Sequence, residues 1–292
     1  MNITTNDSDF ERHNFFVNLV RISLLWFLGI LPSRISHWIF IKWSEDARRA
    51  SHWARTYRAL EIMYTFEERR RRKEVSFGDI FWETILSNAR AIRNRIKFVK
   101  IILQKLIVEV ASKNNSVKVL SLGSGSGRPL LETIRFLNGS IPTKCFFMDR
   151  SKSALIFGQE LAKEILREKN DDNLRWSRVK VEDNHLLEQA LKECSPDIIE
   201  MVGLLDYFDD IDARELFELI FHHISPNGFF VVSNIKPNIE RRFVTKAIKW
   251  PLVYRTSEEL KQLLIDAGFN KQRIQIIIEP LGIYSIAICQ KT

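Results

Sequence analysis

Residues 117–149 read VKVLSLGSGSGRPLLETIRFLNGSIPTKCFFMD. Val117, Val119, Leu120 and Leu122 make the short apolar run of a buried parallel strand. Gly123, Gly125 and Gly127 follow at once, and such glycines permit a tight turn and the approach of a ligand to bare backbone. Leu130, Leu131, Ile134 and Leu137 recur at helical spacing until Asn138-Gly139 stops them. A second apolar run, Cys145–Met148, ends in Asp149. An acid at the end of the second strand of a βαβ unit is placed to hold ribose hydroxyls.

The glycine spacing separates two nucleotide-binding classes. The dinucleotide fingerprint is GxGxxG and wants a small residue near position 128, where this chain has Arg128. GSGSG followed by Arg128 resembles instead motif I of the class I S-adenosylmethionine-dependent methyltransferases. That family usually has an acid two residues before the first glycine, meeting the methionine end of the cofactor. Here Ser121, a hydrogen-bonding but uncharged side chain, stands in that place.

The C-terminal half follows the same pattern in order. Ser151 is a candidate N-cap for a helix to Arg167, and Val179–Val181 reads as a third strand. Residues 196–202 read as the fourth strand, opening into Gly203-Leu-Leu-Asp206-Tyr207. Helix 211–224, a Pro226-Asn-Gly228 turn and strand 229–233, ending at Asn234, come next. Helix 257–267, strand 272–279 and strand 283–290 close the chain. The resemblance covers about 117–290. It implies an α/β fold: a seven-stranded Rossmann-like methyltransferase sheet whose terminal hairpin inserts its last strand antiparallel, preceded by an N-terminal helical region.

The resemblance further implies S-adenosyl-L-methionine as cofactor. Its expected ligands are Ser121, Gly123, Ser124, Gly125 and Gly127 on the first loop, with Asp149 and Arg150 after the second strand. Glu182, Asp183 and Asn184 would follow the third strand, with Glu182 or Asp183 accepting from the adenine amine or else capping the next helix. Gly203 and Asp206 would lie after the fourth strand, since ligands of open α/β sheets sit outside the carboxyl ends of the strands. Methyl transfer from a sulfonium needs mainly alignment and exclusion of water, and a carboxylate acceptor needs no base. Tyr207, Asn234 and Arg255 are the candidates at the reacting centre, Arg255 for a substrate carboxylate and Tyr207 as pocket wall. A narrower resemblance rests on residues 88–95, 203–210, 226–238 and 250–255. It points to a bacterial group that includes enzymes methylating the carboxylate of 3-hydroxy fatty acids.

The N-terminal part has a different character. Residues 1–115 carry 20 Lys/Arg against 12 Asp/Glu, and 116–292 carry 24 of each, so the whole net charge of +8 lies in the first part. A boundary is expected at the polar break 113–116, giving a helical, basic lid or acceptor region over 1–115 and a cofactor-binding domain over 116–292. Residues 1–13 read as a loose polar lead. Residues 15–31 and 35–43 are strongly apolar and rich in Trp. Three readings stand for them: buried helices, helices lying on a membrane surface, or a span, for which the first is short and carries Asn18 and Arg21. Residues 45–74 read as one charged helix and 79–111 as one or two more.

Composition narrows the function classes. Three widely spaced cysteines, Cys145, Cys194 and Cys289, suit a reducing, cytoplasmic setting, and no metal-ligand spacing is present. The fourth-strand loop lacks an Asn-Pro-Pro-Tyr type motif, which argues against RNA base methylation. The favoured reading is a methyltransferase for a small-molecule or lipid-like acceptor, with O-methylation of a carboxylate and peripheral membrane contact as finer expectations. Two alternatives stay open: aminocarboxypropyl transfer or cyclisation of the cofactor, and an RNA or protein methyltransferase gripping its partner through Arg69–Lys73.

Overall fold

The computed structural model describes residues 10–167 and 172–292. The first nine residues of the expected N-terminal lead lie outside the described residues. Seven strands form one sheet: β1 (Val117–Leu122), β2 (Thr143–Asp149), β3 (Leu174–Arg178), β4 (Ile198–Met201), β5 (Phe229–Ile235), β6 (Ile274–Ile278) and β7 (Tyr284–Gln290). Their order is β3-β2-β1-β4-β5-β7-β6. The β1–β2, β1–β4, β2–β3 and β4–β5 pairs are parallel, and the β5-β7-β6 end is the antiparallel hairpin expected from the sequence. Parallel strands bury both faces, which explains why β1, β4 and β5 are mainly apolar rather than alternating.

The third strand is the exception. It was expected at Val179–Val181 but occupies Leu174–Arg178, ending level with Asp149 of β2. It is one of the sheet's two edge strands, and its sequence LRWSR alternates and lacks an apolar run. Val179 and Val181 are buried, but in the segment that leaves the strand.

The chain divides into two compact units. One comprises 96–235, 253–277 and 285–292; the other comprises 1–95 together with 236–252 and 278–284. The expected break at 113–116 is therefore not where the units part. The helix Ser87–Ala111 contributes to both, and the N-terminal unit takes in two later segments. The single helix expected over 45–74 is three: Glu45–His52, Tyr57–Tyr64 and Phe66–Arg71. Arg55, at φ 68°, breaks the first from the second without Gly or Pro, so the helical periodicity ran across the gap.

Within the N-terminal unit, Phe40, Trp82 and Phe243 pack with ring centroids 5.2–5.7 Å apart. Beside them Glu240, fully buried, accepts from the Arg21 guanidinium, from the Ser87 and Asn88 amides at 2.6 and 3.1 Å, and from Asn88 Nδ2 at 2.5 Å. One carboxylate thus ties the helix Phe15–Ile30, the start of the helix Ser87–Ala111 and the segment 236–252 together. Glu240→Ala would strand the Arg21 charge, and we expect a loss of roughly 3–5 kcal/mol in urea unfolding; a loss below about 1 kcal/mol would show that the pair does not hold the unit.

His13 Nε2 lies 2.7 Å from Ser87 Oγ, and burial first, then Arg90 and Arg21, lower its pKa from 6.5 to about 4. The unfolded chain therefore binds the proton first, so this contribution is present above pH 6.5 and is lost as pH falls toward about 4. Stability of the wild type should decline over that window, and His13→Gln should flatten the decline; an unchanged slope would exclude His13 as its source.

Candidate active site at the carboxyl ends of the strands

The loop after β1 is shaped by backbone alone. Gly123, Gly125 and Gly127 have φ of 64°, 55° and 69°, the left-handed region that side chains disfavour. A Cβ at Gly127 would come within 2.7 Å of the Phe147 ring, which stacks on Trp176 at 4.0 Å. A Cβ at Gly123 would come within 2.6 Å of Leu204, in the loop after β4. The two loops therefore pack against each other, and Gly203, at φ 88°, turns the second one.

Asp149 stands at the end of β2 as expected. Its Oδ2 accepts from the Gly125 amide at 2.9 Å and its Oδ1 from the Ser151 amide at 2.8 Å. Both bonds fix the carboxylate, and each oxygen retains acceptor capacity. The Ser124 amide donates to the Met148 carbonyl at 2.9 Å, closing the loop onto β2. Arg150 is exposed and meets Glu182 at 3.3 Å. Asp183 caps the helix Asn184–Cys194 by accepting from the Leu186 amide at 3.1 Å, so the capping alternative describes its contact. Exposed Asn184 opens that helix.

Ser121 is fully buried and its hydroxyl donates to Glu200, its register partner on β4. Glu200 is itself buried among apolar strand residues. The carboxylate missing at position 121 thus stands next door on the adjacent strand. Sequence reading passed over it inside the run Ile198–Met201; a lone acid in an otherwise apolar buried strand was the available signal.

Arg255 lies inside the protein and does not face an acceptor. It is 2% exposed, and four of its five donors are spent inside the protein. Nε reaches Asp210 at 2.7 Å, Nη1 reaches Asn234 Oδ1 at 3.0 Å and the Leu205 carbonyl at 3.5 Å, and Nη2 reaches the Phe208 carbonyl at 2.6 Å. Asn234 in turn donates to Asp206 at 2.6 Å and to the Val253 carbonyl at 3.1 Å, and Asp206 also accepts from the Ile235 amide at 2.8 Å. Asp206, Asn234 and Arg255 are one buried network joining the loops after β4 and β5. Their polar groups are engaged with one another and with backbone rather than presented to an acceptor. Half-buried Tyr207 ends the short 3-10 turn Leu205–Tyr207 on that network.

The N-terminal unit has a cavity of its own, about 100 Å³. Phe40, Ala47, Ala50, Phe66, Trp82 and Trp250 supply much of its wall. Its acids are already engaged: Asp79 accepts four hydrogen bonds from Ser44, Ser76 and the Asp46 amide, Asp46 holds Arg69, Glu83 holds Arg93, and Glu240 holds Arg21. Burial lifts the Asp46 and Glu83 carboxyls above the ordinary range despite those arginines. What remains for a ligand is apolar.

Comparison with known proteins agrees with this geometry. No curated protein matches the chain by sequence. Solved structures share the fold: a "possible exported protein" from Bordetella parapertussis at TM-score 0.59 and 19% identity, covering 70% of each chain. Magnesium protoporphyrin IX methyltransferase from Synechocystis PCC 6803, bound to S-adenosylhomocysteine, matches at TM-score 0.55 and 12% identity over 80% of this chain and 97% of that one. The CurJ carbon methyltransferase matches at TM-score 0.53 and 16% identity over 66% of this chain and 54% of that one. Residues 61–291, well over half the sequence, match the family described as "Putative methyltransferase". With the glycine loop, the β2 carboxylate and the inserted antiparallel strand in place, the chain belongs to that family and carries the class I methyltransferase fold.

Proposed function

We propose that the protein transfers a methyl group from S-adenosylmethionine to a small acceptor with an apolar body. The observation that carries the donor half is the loop 123–127, three left-handed glycines clamped to Asp149. The residues fit this cofactor. Asp149 can accept from a ribose diol, the bare loop admits the chain beyond the ribose, and Glu200 would offer a carboxylate to its ammonium group. When bound, S-adenosylmethionine supplies an electrophilic methyl on a leaving group that is already positive. The protein's part is then to align the acceptor and keep water away. Arg255 bonds the carbonyls of Leu205 and Phe208 on either side of Tyr207 and would hold that loop in place for the purpose.

The acceptor half rests on the narrower sequence resemblance, which points to an acid with an apolar body. O-methylation of a carboxylic acid is the finer reading. It is supported by the basic excess of residues 1–115 and by the narrower sequence resemblance, and Arg255 does not contribute to it.

Calorimetry tests the donor site. Asp149→Ala should weaken S-adenosylhomocysteine binding about tenfold or more, as charge-assisted hydrogen bonds are lost. Glu200→Gln should weaken S-adenosylhomocysteine but spare 5′-methylthioadenosine, which has no ammonium; equal loss for both would assign Glu200 a purely structural role. For the acceptor, a methyl-transfer assay over apolar carboxylic acids, phenols, amino acids and short RNAs should find the first class. Transfer only to RNA, or cofactor cleavage without transfer, would overturn the reading.

A further inference from the structure

The helix Phe15–Ile30 is built with its polarity reversed. Phe16, Leu19, Val20, Trp26, Phe27 and Ile30 fall on one helical face at offsets of three, four, ten, eleven and fourteen residues. All are exposed, Phe16 by 78% and Trp26 by 70%. The opposite face, with Leu25 and Leu28, is buried and contains the helix's charged residue, Arg21, which is held by Glu240. A charge turned inward and large apolar groups turned outward need an apolar neighbour.

The next helix, Ser33–Lys42, continues the pattern. Ile35 and Trp38 are exposed, and Trp43 just beyond it is 73% exposed. Lys42 Nζ sits 4.2 Å from the Trp38 ring and 5.6 Å from the Trp43 ring. Residues 12–44 contain no Asp or Glu, while Arg12, Arg34 and Lys42 are exposed cations. Aromatic rings beside cations, with no acid among them, are the chemistry of a membrane–water interface with anionic lipid.

We infer that these two helices dock the protein on an anionic lipid surface, lying in the interface with Phe16, Leu19, Trp26, Phe27 and Trp38 buried among the acyl chains. The helix Phe15–Ile30 has 16 residues, about 24 Å, against a hydrocarbon core of about 30 Å. Among the described residues no helix is long and apolar enough to cross a membrane. The helix therefore lies on the bilayer. Cations near an anionic surface add electrostatic attraction that salt weakens, which fixes the lipid class.

The experiment is co-sedimentation of the full chain with vesicles of phosphatidylcholine alone or mixed with phosphatidylserine. Wild type should partition onto the mixed vesicles, less onto the neutral ones, and less at high salt. A Trp26→Glu, Phe27→Glu double variant should lose about tenfold or more of that partition. Both positions are exposed, so the variant should keep its circular dichroism spectrum and its affinity for S-adenosylhomocysteine. Absence of wild-type binding to any vesicle, or undiminished binding of a folded variant, would overturn the proposal. So would a stable wild-type dimer that the double variant makes monomeric, because a second copy would then cover the face. The assay reads binding without turnover, so its failure leaves the methyl-transfer reading standing.

Discussion

The buried guanidinium of Arg255 is the constraint on which the active-site end of the sheet depends. It reaches the two loop carbonyls of Leu205 and Phe208, the Asn234 amide oxygen and the Asp210 carboxylate. Loops at strand ends are free to move unless something satisfies their backbone groups. A single planar cation with donors in a fixed fork does so here for carbonyls more than forty residues away in sequence. Asp210 supplies the neutralising carboxylate, and Asn234 bridges the guanidinium to Asp206. A charge this deeply buried is tolerated only because it is paired and hydrogen-bonded. The stacked Phe147 and Trp176 rings do the corresponding work on the other side, filling the space that Gly127 leaves.

What could be read from the residues follows the range of the interactions. β1, the glycine loop, Asp149 and the closing hairpin were legible because each is set by its own few residues: an apolar run, a positive φ, an acid at a strand end. β3 was displaced because an outer strand needs no apolar run, and the nearby Val179 and Val181 are buried for another reason. Glu200 was missed because its meaning lies in its partner across the strand, Ser121. Arg255 was found but given the wrong task. Its sequence neighbourhood shows a charge in a loop, and only the fold shows that its partners consume it.

The boundary between the units was hidden for a related reason. A break at 113–116 is what composition shows, because composition is read along the chain. The N-terminal unit is instead assembled from 1–95, 236–252 and 278–284. Its core aromatics include Phe243 from the second segment, and its key carboxylate, Glu240, lies there too.

That discontinuity has a consequence for how the protein comes to exist. The chain emerges from its amino end, so the helices of residues 15–85 are made first, yet Arg21 waits for a counter-charge more than two hundred residues downstream. Contacts of such sequence separation form late, since loop closure must come before they are rewarded. The sheet of 117–235 has all its parallel strands before Glu240 is even synthesised. The helix Phe15–Ile30 therefore exists well before the segments that complete its own unit. Through that interval its apolar helices are a surface in need of a partner.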